Sequence, residues 1–254
     1  MGNRKWKIKK SFLFGLLTVV IMAFVAFVER KGMNAQYRSL EVYVQGISDV
    51  YFVDENEIAL LLKNEFPLLK PGNSFAEISL GKIENKVESH PFVKNAEVYK
   101  DLKGNVVVKI EQYRPVARII RPMAAHGYVS AEGVILPTST KYTSRVLTLG
   151  GPLADELLNL NDLSVKHQDL MQLIHFIEKD EFWSAQISGL EIDRKGDIKL
   201  FQQVGKQVIE FGKPIDIEEK FEKISLFYKK ILPVKGWNTY ERVNVKYRDQ
   251  IICE

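Results

Sequence analysis

The chain has 254 residues, of which 46% are hydrophobic, and a formal net charge of +4. The charge is uneven, because the first ten residues hold five basic residues and no acidic one, which leaves 31 Lys and Arg against 32 Asp and Glu in residues 11–254. A nearly neutral main part lacks the basic surface that binds nucleic acid, so nucleic acid is not an expected partner. The single cysteine, Cys253, excludes an intramolecular disulfide, and the fold must depend on its hydrophobic core.

Residues 11–28 form an unbroken apolar run in which only Ser11 and Thr18 are polar. As a helix rising about 1.5 Å per residue, these eighteen residues would extend about 27 Å, close to the hydrocarbon thickness of a lipid bilayer. The run therefore predicts a transmembrane helix. The basic residues that precede it are Arg4, Lys5, Lys7, Lys9 and Lys10. By the positive-inside rule they keep residues 1–10 in the cytoplasm and place the bulk of the chain in the periplasmic or extracytoplasmic space.

A cleaved signal peptide is the alternative interpretation of this run, since it also has basic residues before an apolar core. Signal-peptide cores are usually about 7 to 15 residues long, shorter than this run. The small-residue cleavage pattern is also poor, because Phe24 stands two positions before Ala26 and Met33 two positions before Ala35. An uncleaved anchor is therefore favoured.

After a linker at residues 29–38, residues 39–113 predict a compact α+β domain in the order strand, helix, helix, strand, strand. The two helices are predicted from the N-cap residues Asp54 and Ser79, each followed by an apolar face. The predicted strands cover residues 40–44, 93–100 and 105–112. The expected architecture has both helices on one face of a small mixed sheet.

Residues 114–254 predict a second, strand-rich domain with an antiparallel sheet and two helices. One helix has apolar residues at i, i+3, i+4 and i+7 from Leu170 to Ile177, and the other is capped by Asp216. The apolar stripe of the second helix spans little more than two heptads, which favours burial against the sheet over a coiled coil. The predicted strands are a hairpin over 126–137, a meander over 187–194, 197–203 and 207–212, and a last strand over 242–252.

The stretch KVESHPFVKNAEVYKDLKGNVVVKIEQYRPVARI resembles the second half of a POTRA domain and the linker that follows it in the FtsQ/DivIB family of bacterial cell-division proteins. The hairpin at residues 126–137 is similar to the "Y-x-D-x-x-G-x-x-L-P" hairpin of that family, with Ser130 where an acid is common. The order of a basic tail, one membrane helix, a POTRA-like unit and a strand-rich domain extends the resemblance over nearly the whole chain.

The resemblance implies a scaffold of the division septum in the inner (plasma) membrane. It implies that the last strand binds the small coiled-coil proteins FtsB and FtsL, and that the protein contacts FtsK and helps to recruit the septal peptidoglycan synthase FtsW with its transpeptidase partner FtsI. The predicted partner-binding residues are Val243, Val245, Tyr247, Arg248 and Ile251. Tyr247 stands where the family has a tyrosine, whereas Lys246 replaces the arginine before it. Without the resemblance, Tyr247 would be interpreted as a half-buried strand tyrosine.

Several common catalytic and cofactor motifs do not occur in the sequence. Its four histidines form no H-E-x-x-H pair, and no G-x-G-x-x-G, G-x-x-x-x-G-K-[ST] or G-x-S-x-G motif occurs. Cys253 lacks a nearby histidine that could activate its thiol. The sequence therefore predicts neither an enzyme nor a cofactor or metal site. The alternatives are a POTRA-type adaptor of envelope protein assembly, a membrane-anchored cell-wall hydrolase and a signalling anchor.

Overall fold

The computed structural model describes residues 15–24, 36–45, 52–124 and 126–254. The chain divides into two compact units, Met1–Gln45 with Val53–Glu111 and Gly46–Phe52 with Gln112–Glu254. Each unit contains its own sheet, so the architecture is α+β in both.

Residues 15–24 are helical and form α1, inside the apolar run that predicts a transmembrane helix. In the ranges that the structure describes, no helix has both the length and the apolar character needed to cross a membrane. The predicted span also includes residues 11–14 and 25–28, which lie outside the described residues, as do the basic residues in 1–10 and most of the linker. The membrane span and its orientation stay predictions.

The first unit has the predicted order of strands and helices. Its elements are β1 (Leu40–Gln45), α2 (Glu55–Glu65), a 3-10 turn (Phe75–Glu77), α3 (Leu80–Glu88), β2 (Val93–Lys100) and β3 (Val106–Gln112). The sheet order is β1-β3-β2, and β1 runs parallel to the central strand β3. A crossover between β1 and β3 is what permits parallel pairing, and α2 and α3 supply it.

Local chemistry explains these elements. The Asp54 carboxylate accepts the Glu57 N–H at 3.0 Å, which confirms the predicted cap of α2. Ile83 and Val87 of α3 and Val108 of β3 are fully buried. Burying each such side chain contributes about 1.5 to 3 kcal/mol, so the contact between helix and sheet stabilises the unit.

Both outer strands of the first sheet have backbone N–H groups bonded to helix carboxylates. The bonds run from Val98 to Glu84 (3.1 Å), from Ala96 to Glu88 (3.4 Å) and from Val44 to Glu55 (3.1 Å). Unpaired edge groups attract strands from other chains, and such bonds satisfy them within the unit. The edges of the first sheet are therefore partly covered by the unit's own side chains.

The second unit is built on one nine-stranded sheet. Its strands are β4 (Pro115–Ile119), β5 (Gly127–Ser130), β6 (Ile135–Leu136), β7 (Leu147–Gly150), β8 (Ile187–Ile192), β9 (Ile198–Gln202), β10 (Val208–Gly212), β11 (Arg242–Asn244) and β12 (Ile252–Cys253). Its helical segments are α4 (Ala154–Leu157), α5 (Gln168–Lys179), α6 (Glu181–Gln186), α7 (Ile217–Leu226), a π-helical segment (Phe227–Ile231) and α8 (Leu232–Lys235). The strand order is β12-β11-β10-β9-β8-β7-β4-β5-β6.

The prediction of an antiparallel sheet with two helices is wrong in part, because the sheet is mixed. Strands β8, β9 and β10 form the predicted antiparallel meander. However, β4 with β7, β7 with β8 and β10 with β11 are parallel. Parallel neighbours need a crossover, and α5 and α6 connect β7 to β8 while α7 and α8 connect β10 to β11. The short helices α4, α6 and α8 add to the two predicted ones.

The two long helices bury the faces that their sequences predict. Leu173 and Ile174 of α5 and Ile224 of α7 are fully buried. Phe221 of α7 packs its ring 5.5 Å from that of Phe211 in β10, centroid to centroid. The apolar stripe of α7 is therefore part of the core, as predicted.

Candidate partner-binding site

The predicted last strand, residues 242–252, is two strands. β11 ends at Asn244, which lies opposite Ile252 of the antiparallel strand β12. Between them, Asp249 has a φ of +58°, a left-handed conformation that occurs in turns. The single-strand prediction is therefore wrong, because the chain reverses at this turn. β11 lies inside the sheet between β10 and β12, and β12 is the outer strand.

Val243 and Val245, two of the predicted contact residues, are fully buried. Val243 lies opposite Ile209 of β10 and Cys253 of β12. The Val245 N–H donates to the Glu210 carbonyl at 3.1 Å. Both side chains belong to the core of the unit, which corrects the prediction that they face a partner.

Helix α7 holds the turn between β11 and β12. Lys223 Nζ donates to the Tyr247 carbonyl at 2.8 Å and pairs with the Glu219 carboxylate at 2.8 Å. The hydrogen bond from Lys223 is the main reason that the pKa of the Glu219 carboxyl lies below its usual value. With its backbone held in this way, Tyr247 is 52% exposed and can contact a partner.

A small pocket of about 220 Å³ lies beside this turn. Its lining residues are Asp216, Glu219, Lys220, Lys223, Lys246 and Arg248. Four basic against two acidic side chains give the lining a formal charge of +2. Lys220 is buried, which lowers its pKa, and its Nζ donates to the Lys213 carbonyl. Lys246 and Arg248 are exposed, so the accessible part of the pocket attracts an anionic group.

The outer side of β12 is a backbone edge. Arg242 and Glu254 exchange two backbone hydrogen bonds, each 3.0 Å long, and their side chains form an ion pair. Because hydrogen-bonded and non-hydrogen-bonded positions alternate in an antiparallel pair, the N–H and C=O of Cys253 point away from β11. In the described residues β12 ends the sheet, so no further strand meets these groups.

The side chains around this edge differ in exposure. Ile252 of β12 is 37% exposed, whereas Ile251 is partly buried against the core. Burial raises the pKa of the Cys253 thiol, which does not favour a reactive thiolate. Of the five predicted contact residues, the structure therefore brings Tyr247 and Arg248 to the surface beside β12. It adds Ile252, which the sequence analysis missed.

The opposite end of the same sheet is covered. The N–H of Ile135 in β6 donates to the Asn161 carbonyl at 3.0 Å, and the Leu163 N–H donates to the Gly133 carbonyl at 2.9 Å. A bridge between Val134 and Asp162 continues this pairing. The segment around residues 161–163 thus occupies the position that another chain would need at this end.

Comparisons with known families agree with this architecture. A family model described as "FtsQ/DivIB, C-terminal related" matches residues 114–254, and one described as "POTRA-like domain" matches residues 36–111. No curated protein matches the chain. Both matched families are non-enzymatic, and FtsQ/DivIB proteins are membrane-anchored division proteins. Because the first match alone covers more than half of the sequence, the chain belongs to the FtsQ/DivIB family.

Proposed function

We propose that this protein is a non-enzymatic, single-pass scaffold of the division septum in the inner (plasma) membrane. Its FtsQ/DivIB and POTRA-like domains support a division-related scaffold. The apolar run at residues 11–28 and the basic residues before it support a membrane anchor with a cytoplasmic amino terminus. The two folded units would then act on the outer side of that membrane.

The second unit captures a strand of an FtsB-like or FtsL-like partner along β12. The single observation that carries this proposal is the outward-pointing N–H and C=O of Cys253 on the outer strand of a nine-stranded sheet. In strand addition, backbone hydrogen bonds provide most of the affinity and neighbouring side chains provide the selectivity. An edge strand with free backbone groups is therefore sufficient for binding, even when few of its side chains contact the partner.

Selectivity comes from the surface beside the edge. Tyr247 and Ile252 offer apolar area on the two sides of the turn, and Arg248 with Lys246 offers positive charge. A partner strand with an apolar residue and an acidic residue close together would match both. Captured FtsB-like and FtsL-like proteins would help to recruit FtsW and FtsI, while the POTRA-like unit would contact other division proteins such as FtsK.

In-cell crosslinking from single positions between Glu241 and Cys253 tests this site. Probes at Tyr247, Arg248 and Ile252 should crosslink to an FtsB-like protein, because these residues surround the edge. A probe at the exposed Arg194, in the turn between β8 and β9, is the control and should give no product. Crosslinking that is equal at Arg194 and Tyr247, or absent around the edge, would contradict the proposed site.

Depletion tests the cellular role separately. Cells without the protein should grow as filaments without septa, because FtsW and FtsI would not be recruited to build the septum. Normal division after depletion would refute the division role. A zymogram of the purified protein on peptidoglycan should show no clearing, and clearing would support the cell-wall hydrolase alternative.

A further inference from the structure

An aromatic groove lies on the helical side of the second unit, between α6 and the π-helical segment that continues α7. Its volume is about 860 Å³. The three apolar side chains at its rim, Phe182, Val204 and Trp237, are 55%, 63% and 53% exposed. Exposed apolar residues that occur together around a cavity mark an interaction site, whereas single ones need no explanation.

The floor of the aromatic groove is a rigid ring cluster. Trp183 packs edge-on against Phe182 and Phe221, with centroid distances of 4.8 and 4.7 Å. The Tyr228 hydroxyl is hydrogen-bonded to Gln202, so its polar atom is satisfied and its ring stays in the floor. Fixed aromatic surfaces bind an apolar side chain without a large cost in ordering the groove, and they are typical of energetic hot spots.

Two backbone features shape the groove. The segment Phe227–Ile231 is π-helical, a rare widening of a helix that is frequent at functional sites, and it carries Tyr228 and Lys229 into the lining. Across the groove, the Gln207 side-chain amide donates to the Trp237 carbonyl, which ties the backbone of the exposed tryptophan to the residue before the inner strand β10. Both walls are therefore built by specific interactions.

The rim beside the aromatic floor is acidic. Glu218 and Glu222 lie one turn apart on α7, both exposed, and both line the groove with Asp180 and a single base, Lys229. The Asp180 carboxylate caps α6 by accepting the N–H groups of Phe182 and Trp183. Among the described residues, Glu218 and Glu222 have no ion pair, since Lys223 pairs with Glu219 instead. Like charges at i and i+4 repel, and among the described residues Lys229 forms no ion pair with either glutamate.

We propose that the aromatic groove docks an amphipathic helix of a partner protein, with an apolar or aromatic side chain in the groove and two basic side chains, spaced i and i+4, against Glu218 and Glu222. Basic residues one turn apart on the partner match the spacing of the two glutamates, and the net charge of −2 over the four charged lining residues favours a cationic partner. Helix-in-groove recognition uses this combination of an apolar anchor and flanking charge.

This docking surface is separate from the β12 edge. Neither β12 nor Tyr247 lines the groove, and the acidic groove selects a partner charge opposite to that favoured by the basic pocket beside the edge. The two surfaces therefore bind different segments. The inference does not depend on the proposed strand capture, and it holds if that capture fails.

Titration of the full chain in zwitterionic nanodiscs with labelled synthetic peptides tests the proposal, with empty nanodiscs as the background. One probe is a 14-residue amphipathic helix with a tryptophan anchor and lysines at i and i+4. A second carries glutamates in place of the lysines, and a third has alanine in place of the anchor. The lysine peptide should bind at least about tenfold more tightly than either of the others, with an affinity that falls as salt rises.

Variants locate the binding. E218Q/E222Q should lower the affinity for the lysine peptide about tenfold and reduce the dependence of that affinity on salt. W237A should lower the affinity by a similar factor without changing its salt dependence. The controls are L226A, an exposed apolar residue of α7 outside the groove, and E156Q, an exposed glutamate on α4. The proposal would be overturned if the lysine and glutamate peptides bind equally, or if E218Q/E222Q leaves binding of the lysine peptide unchanged. It would also be overturned if the groove binds a sugar ligand, a chitooligosaccharide, and W237A abolishes that binding.

Discussion

The two ends of the nine-stranded sheet differ in whether the backbone groups of the outer strand are covered. At the β6 end, the Ile135 N–H is bonded to Asn161 and the segment around residues 161–163 covers the strand. At the β12 end, the outward groups of Cys253 meet no strand in the described residues. The three-stranded sheet of the first unit resembles the β6 end, because carboxylates of α2 and α3 bind its edge N–H groups. Proteins usually protect the edge strands of their sheets, so an edge strand with unpaired backbone groups is a place where a strand of another chain can pair.

The largest effect should come from prolines placed on the two sides of the β11–β12 pair. Val245→Pro removes an internal bond to Glu210 at a fully buried position, and it should destabilise the second unit by about 3 kcal/mol or more. Cys253→Pro removes an outward N–H and a partly buried thiol but no hydrogen bond within the sheet, so the free energy of unfolding should change by less than about 1 kcal/mol. Urea denaturation measures both. Similar losses would show that β12 is not an outer strand.

Uncovering the β6 end should have the next largest effect. Gly133 has a φ of +95°, and a Cβ there would lie 2.9 Å from both Asp162 Oδ1 and the Ser164 nitrogen. Gly133→Val should therefore displace the covering segment, lower the unfolding free energy by about 2 kcal/mol and promote self-association. Gly81→Ala is the control, because its site in α3 is open and the change should be neutral or stabilising. Calorimetry measures the stability of both variants, and light scattering measures their self-association. A Gly133→Val variant that stays monomeric and as stable as the unchanged protein would argue that the segment around residues 161–163 does not protect the β6 edge.

In the first unit, removing the carboxylates that bind β2 should expose its edge. Glu84→Ala/Glu88→Ala leaves the N–H groups of Val98 and Ala96 without these acceptors, at a cost of about 1 kcal/mol per bond. Glu84→Gln/Glu88→Gln keeps a carbonyl acceptor at each position and should retain most of the stability. Sedimentation should show self-association of the alanine variant alone. Equal behaviour of the two double variants would mean that these bonds do not protect the edge.

The last effect is confined to alkaline pH, and it concerns the stability of the second unit and not the open edge of its sheet. Burial raises the pKa of the Tyr228 hydroxyl to about 12, against about 10 in an unfolded chain. The folded state then keeps a proton that the unfolded state loses, so stability that is complete below about pH 10 declines between about pH 10 and 12. Tyr228→Phe should reduce this decline in urea titrations. The Gly133→Val change, which acts at the other end of the sheet, should not.

Much of the fold follows from sequence patterns. Apolar periodicity predicted α5 and α7, the Asp54 cap predicted the start of α2, and the predicted order of strands and helices along the first unit was confirmed. These signals are local, since each depends on residues within one or two turns. The resemblance to the FtsQ/DivIB family was confirmed over residues 114–254.

The missed features depend on contacts between distant segments. The chain reverses at Asp249, which has a left-handed φ, and the nearby Tyr247 carbonyl accepts a hydrogen bond from Lys223 of α7, 24 residues earlier in the sequence. The i,i+4 spacing of Glu219 and Lys223 shows that they share a face of α7, but it does not show which turn that face approaches. Helix α6 has a local signal, the Asp180 cap, but its six residues are too few to show an apolar helical period.

The central claim is that a partner strand pairs with β12, and comparing partner capture by two substitutions at Cys253 tests it most directly. Cys253→Pro and Cys253→Ala both remove the thiol, but only proline removes the outward N–H, and neither changes the groups that bond β12 to β11. Co-purification of the FtsB-like protein with each variant should be lost for proline and retained for alanine, with both variants equally folded. Undiminished capture by Cys253→Pro would contradict strand addition at β12.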